Sequence, residues 1–287
     1  MTSEIIWIQL FNGITLGVIY ALMGMGLTLI WSIADLPDFS QGGIYIISAY
    51  SAYFAIILLN FSYFFAIPVA IITGMAISVT FERLLYTRLR ASPNAALLCA
   101  IALFFLLENI AVYLWTPKAK IMPSPTKDMI LYFAGIPVSF QRILIIIVGV
   151  VLFIVINVFV KKTKIGKAIM ATAQDREAAA LMGINLEKVY ITTWALGGAL
   201  TAIAAALISP LYAVYPGMGT LPLLKGLVVV ILGGMGSFIG ALVAGLILGL
   251  IETFGSVYIS VAYQHGFAFI ILLLTLVIRP QGLFGRR

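Results

Sequence analysis

The chain has 287 residues, 63% of them hydrophobic and only 9% charged, and its mean hydropathy is +1.15. Soluble domains are about half apolar and about one quarter charged, so this composition excludes a soluble globular protein and makes lipid the solvent. The net charge of +7, from 17 Lys and Arg against 10 Asp and Glu, sits beside apolar runs rather than along a stripe. Such residues are orientation signals, which excludes a nucleic-acid surface.

A helix needs about 20 apolar residues to cross a ~30 Å hydrocarbon layer. The start, Met1-Thr2-Ser3-Glu4, has an acid and no basic residue, unlike a secretory signal. The first apolar run, residues 5–30, is therefore expected to be retained as a span. A polar break over 34–43 contains Pro37, Asp38, Ser40, Gln41 and Gly42. Further spans are expected at 44–59, 64–81, 95–115, 142–160 and 189–209. The loop 116–141 carries Pro117, Pro123, Pro125 and Pro137, which argues against one regular helix there.

Lys and Arg near span ends set orientation. Loop 83–94, with Arg83, Arg88 and Arg90, loop 161–188 and the tail with Arg279, Arg286 and Arg287 are expected in the cytoplasm. The N-terminus is then outside and the C-terminus cytoplasmic. Loop 116–141 should lie outside although it contains Lys118, Lys120 and Lys127; the two more basic loops decide.

The last third holds apolar runs at 221–232, 238–254 and 266–278. Twelve residues make a short crossing at about 1.5 Å each, so a broken, re-entrant helix is expected, entering from outside and bending at membrane depth at Gly233-Gly234-Met235-Gly236-Ser237. Its N-terminal amides after Ser237 could face an anionic group such as an amino-acid carboxylate; the alternative is a Gly-rich packing bend. The pairs Gly13/Gly17, Gly236/Gly240 and Gly245/Gly249 each form G-x-x-x-G, a sign of close helix packing. The expected fold is an all-α polytopic membrane bundle of about eight helices, forming one domain over 1–287.

Chemistry on this chain is improbable. Cys99 and His265 are single, so neither a disulfide within the chain nor a transition-metal site is expected. There is no G-x-x-x-x-G-K-[S/T] phosphate loop and no Ser-His-Asp set that could meet. Glu108, beside Asn109, is a membrane carboxylate that faces either a pathway or the outer interface near Trp115.

Residues 161–188 form a polar island holding nine of the 27 charged residues. Inside it, Glu177-Ala178-Ala179-Ala180 favours a short helix, which Gly183 can end with a positive φ. Glu177 suits the helix start. The bland alternative is a basic cytoplasmic loop. The order Glu177-Ala178-Ala179, three residues, Gly183 resembles the segment by which permeases of ATP-binding cassette (ABC) transporters dock on their ATPase.

The resemblance extends along the chain. Asn12-Gly13, Gly17 and Tyr20-Ala21-Leu22, then Gly166-Lys167-Ala168-Ile169 through Gly183-Ile184-Asn185, then Ala195-Leu196-Gly197-Gly198-Ala199-Leu200 follow one family's order. So do Leu232-Gly233-Gly234-Met235-Gly236-Ser237 and Arg279-Pro280-Gln281-Gly282-Leu283-Phe284-Gly285. Together they resemble the branched-chain amino-acid ABC transporter permease family. This implies the membrane subunit of a prokaryotic inner-membrane importer for branched-chain or other apolar amino acids. The implied partners are a second related permease subunit, two ATP-binding cassette subunits and an external substrate-binding protein. ATP and Mg would bind those partners, with no cofactor on this chain.

Where the family usually reads Asn-Phe-Ala-His-Gly, this chain has Asp38-Phe39-Ser40-Gln41-Gly42. Asp38, Ser40 and Gln41 are candidate pathway residues, as are Gly233, Gly234, Gly236 and Ser237; helix capping by Asp38 or Ser40 is the other role open to the first group. Other amino acids, small amides or carboxylates are alternative substrates. The rival class is a stand-alone secondary carrier or intramembrane enzyme. A carrier needs coupling-ion carboxylates in its spans, and only Glu108 and Glu252 qualify.

Overall fold

The computed structural model describes residues 2–124, 126, 129–133, 136–279 and 281–285. Met1, Pro125, Lys127, Pro280, Arg286 and Arg287, which entered the sequence reading, lie outside the described residues. Nine helices among the described residues are long and apolar enough to cross a membrane. They are α1 (Thr2–Ala34), α2 (Ser40–Leu59), α3 (Tyr63–Phe81), α4 (Pro93–Trp115), α5 (Phe140–Lys162), α8 (Leu186–Ile208), α9 (Thr220–Gly233), α10 (Phe238–Tyr258) and α11 (Gln264–Ile278), with α9 and α11 reaching crossing length through the 3-10 turns that precede them, over Pro216–Gly233 and Val261–Ile278. Helix α3 runs on through a π-helical turn, Glu82–Tyr86, and a last turn, Thr87–Leu89. The island forms α6 (Lys164–Gln174) and α7 (Arg176–Leu181). One antiparallel hairpin, β1 (Ile130–Phe133) and β2 (Ile136–Ser139), lies in the long loop.

Side-chain caps set several helix starts. Thr163, Asp175, Asn185 and Ser237 accept hydrogen bonds from the amides of Gly166, Ala178, Lys188 and Gly240, opening α6, α7, α8 and α10. Pro93 begins α4, where its missing N–H is not needed.

Helix α1 is the centre of the bundle and packs against α10, α8, α9 and α5. Its seam with α10 is a glycine zipper. A Cβ on Gly17 would lie 2.8 Å from Leu246 Cα, and one on Gly245 would lie 2.7 Å from Gly17 O. Only hydrogen fits between these backbones, as the pairs Gly13/Gly17 and Gly245/Gly249 required; the third pair differs, because Gly236 lies in an exposed turn and meets nothing within 4 Å. The peripheral helices turn apolar side chains outward, such as Phe65, Leu98, Ile147 and Val277. In lipid such faces need no further cover.

The bundle has two distinct ends. At one, the island meets the start of α8 and the end of α1, because Arg176 Nη2 donates to Ile33 O at 2.6 Å. The C-terminal tail folds back onto α9 at this end, through Leu283 N to Leu232 O and Phe284 N to Gly233 O. Arg90, after α3, stacks 3.8 Å from the Tyr190 ring there. At the far end, Lys120 pairs with Val214, and Gln141 Nε2 donates to Tyr63 OH and Leu207 O. Loops 83–94 and 161–188 thus share one end, and loop 116–141 belongs to the other.

The polytopic helical bundle read from the sequence is present, with nine crossing-length helices among the described residues. The break at 233–237 is also present, but its place differs from expectation. Met235 and Gly236 are exposed, and the turn borders a cavity with Asp35, Lys161 and Gln174 at the island end. It is a turn between α9 and α10 rather than a bend at membrane depth. The physical reason lies upstream. A 3-10 turn, Pro216–Gly219, precedes α9, so the helical stretch is 18 residues long and reaches the island end. The twelve-residue apolar run understated it because Pro216-Gly217 reads as loop.

Candidate functional site

The island is a helix-turn with a bare apolar tip. Gly183 has φ +81, and the amides of Gly183 and Ile184 bond back to Ala180 O and Ala179 O at 3.0 and 3.1 Å. A left-handed residue at this place closes a helix end. Ala179 faces inward at 4% exposure, while Glu177, Ala178 and Gly183 face solvent. Leu181 and Met182, at the tip, are 89% and 83% exposed. Two large side chains this bare at the end of a charged segment form an apolar knob suited to a partner's pocket.

The residues of the first polar break are brought together, and they are fully buried: Asp38, Ser40 and Gln41 all have 0% exposure. Asp38 Oδ1 accepts from Ser40 N at 3.0 Å, Ser40 Oγ at 2.6 Å and Tyr86 OH at 2.5 Å. Asp38 Oδ2 accepts from Gln41 Nε2 at 3.0 Å, and Gln41 Oε1 accepts from Thr201 Oγ1 at 2.8 Å. The carboxylate holds the first amide of α2 and the Tyr86 hydroxyl of the π turn, and Gln41 carries the contact on to Thr201 of α8. Hydrogen bonds to a charged acceptor of this kind are the strong ones.

Gly233, Gly234, Gly236 and Ser237 are not part of this knot. Gly236 and Ser237 border the island-end cavity of about 610 Å³, together with Trp31, Asp35, Lys161 and Phe284. Gly234 takes φ +95 and closes against Gly285 of the tail. Glu108 is half-buried on α4, beside Gly217 of the 3-10 turn.

Two clusters escaped the sequence reading. In the α1–α9–α10 seam, Lys225 Nζ donates to Glu252 Oε2 at 2.7 Å and to Tyr20 OH at 2.8 Å, with side-chain exposures of 5% for Lys225 and 0% for Glu252. Lys225 sits in mid-helix within a run taken as purely apolar. The signal was there, since a lysine within a span must face the bundle and find a partner. Near the island end, Glu82 bonds Arg90 across the π turn. Its signal was weaker, because Arg90 read as part of the basic loop 83–94 and Glu82 fell between that loop and the span before it. Among the described residues, no group of three His, Cys, Asp or Glu is placed to hold a metal ion.

Nine crossing-length helices, charges buried in pairs or hydrogen-bonded knots, and a charged helix-turn with an apolar tip define a polytopic membrane protein of the permease class. Sequence comparison makes this specific. The chain belongs to the family described as "Branched-chain amino acid transport system / permease component", whose sequence model matches residues 9–276. It is 32% identical over 292 residues to the high-affinity branched-chain amino acid transport system permease protein BraD of Pseudomonas aeruginosa, covering 97% of this chain and 95% of BraD. It is 30% identical to the permease protein LivH of Escherichia coli, over 97% of this chain and 95% of LivH. Among solved structures it resembles PsaBC from Streptococcus pneumoniae, with a TM-score of 0.51 at 14% identity, over 96% of this chain and 92% of that one. That last likeness concerns the fold alone.

Proposed function

We propose that the chain is the membrane-spanning subunit of an ATP-driven importer that moves branched-chain or other apolar amino acids handed over by an external binding protein. The observation that carries this is the match to BraD and LivH along almost the whole of each chain. The machine would comprise a second related permease subunit, two ATP-binding cassette subunits and the binding protein. ATP and Mg would sit on the cassette subunits. The island end would face the cytoplasm and the C-terminus with it, leaving the N-terminus outside; the basic residues gathered at that end support this orientation.

Transport would proceed by alternating access. ATP closes the cassette pair, and the knob at Leu181 and Met182 follows the surface on which it docks. Glu177, Ala178, Ala179 and Gly183 shape that helix-turn. Arg176 joins it to the bundle through Ile33 O and Asp35, so movement of α7 is delivered to the end of α1. Asp38, Ser40, Gln41 and the turn 233–237 are proposed to border the route, as the places where helices are interrupted beside the moving parts.

The test is uptake of radiolabelled leucine into proteoliposomes holding the assembled complex, with ATP supplied on the cassette side. Gly183→Val puts a β-branched residue at positive φ and should abolish uptake while the chain still inserts and co-purifies with its ATPase. Undiminished uptake with Gly183→Val would reduce the island to an orientation signal. Failure of the wild-type complex to move any apolar amino acid would overturn the substrate class.

A further inference from the structure

Where the island joins the bundle, four buried polar atoms have no hydrogen-bond partner among the described residues: Glu82 Oε2, Arg90 Nε, Tyr190 OH and Trp194 Nε1. All four residues line a single cavity of about 80 Å³. A buried polar group left unpaired costs about 1–3 kcal/mol, so four around one space call for an occupant. Their chemistry is complementary. Arg90 Nε and Trp194 Nε1 only donate, a Glu82 carboxylate oxygen only accepts, and Tyr190 OH does both. A water molecule needs two to four such partners and about 10–15 Å³ of space, so a cavity of about 80 Å³ has room for more than one.

Contacts run without a gap on both sides of the cavity. Toward the island, the Arg176 guanidinium lies 5.8 Å from the Tyr190 ring centroid and bonds Asp35 Oδ2 at 3.1 Å. Arg90 stacks on the same ring at 3.8 Å and bonds Glu82. Toward the core, Tyr86 leans on Trp194 with ring centroids 5.5 Å apart, and its hydroxyl reaches Asp38. Glu82 and Tyr86 are the first and last residues of the π turn. A π turn inside an α-helix is rare and is often found at functional sites.

We propose that this cavity holds ordered water, and that the hydrated cluster is the joint through which movement of α7 reaches the Asp38 knot, with Glu82, Tyr86, Arg90 and Tyr190 as its positioning residues. Water lets the four groups trade partners over small displacements without opening the apolar packing around them. The π turn supplies the give, since moving one residue along the helix restores α geometry. The joint rests on the coupling role proposed above for the island.

Two measurements test it on the complex purified with its ATP-hydrolysing chains. The first is amino acid moved per ATP hydrolysed, in proteoliposomes. Tyr86→Phe removes only the hydroxyl that reaches Asp38, and Trp194→Phe removes the indole donor from the cavity together with part of the ring. Each should lower uptake per ATP by about five-fold or more, the lower range of ordinary allosteric couplings, while ATP hydrolysis and co-purification persist. Unchanged uptake per ATP in both, with uptake abolished by Gly183→Val, would overturn the joint and leave the island's role standing. Unchanged uptake in all three would remove that role as well. The second uses the unaltered complex: X-ray radiolysis oxidises buried side chains that touch bound water. Tyr190 and Trp194 are only 2% and 1% exposed, so oxidation of both is the expected result. Protection of both would mean a dry cavity and would overturn the proposal.

Discussion

Asp38 and Glu252 are both carboxylates with 0% exposure, yet they are neutralised in opposite ways. Among the described residues, no cation pairs with Asp38. Its oxygens are filled by neutral donors, two of them from Ser40 and one each from Gln41 and Tyr86. Glu252 faces the Lys225 ammonium and the Tyr20 hydroxyl. The first cluster stands where the chain breaks between α1 and α2; the second stands in mid-helix, in the glycine seam. Neutral donors can be exchanged one at a time, whereas a buried ion pair stays together or fails together. The break therefore suits a place that rearranges, and the seam a place that does not.

The largest effect expected from this contrast is at the ion pair. Lys225→Met or Glu252→Leu alone leaves a buried charge without its partner, which costs about 3–5 kcal/mol. The double variant Lys225→Met/Glu252→Leu should recover most of that loss, since apolar replacement of a buried pair is often neutral. Thermal unfolding in detergent measures it, using a thiol-reactive fluorophore on Cys99, the chain's one cysteine. Losses that simply add in the double variant would mean that the two residues do not act as a pair.

Overpacking the same seam comes next. Gly17→Ala drives a methyl into Leu246 and Gly245 on α10, and such strain typically costs about 1–3 kcal/mol. Gly236→Ala meets nothing within 4 Å and bears only the strain of φ +79, so it should cost about 1 kcal/mol. Equal losses for the two would deny that the seam is the tighter region. At the knot, Asp38→Asn keeps the shape but weakens charge-assisted bonds, each worth about 1.5–3 kcal/mol. Part of that should be regained because the asparagine needs no neutralising, leaving a smaller net loss than at Glu252. Its larger effect should fall on uptake rather than on unfolding, and the reverse pattern would erase the distinction between the two clusters.

The same two clusters mark how far the sequence could be read. Asp38, Ser40 and Gln41 lie within four residues, so their meeting was legible from the break itself. Lys225 and Glu252 lie 27 residues apart on different helices, and only the packing of α9 against α10 brings them together. Span positions were legible because run length and flanking charge are local properties. The turn at 233–237 was legible as a break, but its depth was not, because depth depended on the 3-10 turn at Pro216–Gly219. Glycine pairs announced a tight seam without naming its partners. Gly183 as a helix end was legible, whereas the apolar knob of Leu181 and Met182 needed the fold, since only exposure separates a knob from core.

The central claim is that this chain carries apolar amino acids when its partners hydrolyse ATP, and the most direct test is leucine accumulation in proteoliposomes containing the full complex. With ATP on the cassette side and loaded binding protein on the other, accumulation against a gradient is the expected result, abolished by Gly183→Val. Accumulation that proceeds without ATP, driven by an ion gradient, would contradict the account and favour a secondary carrier.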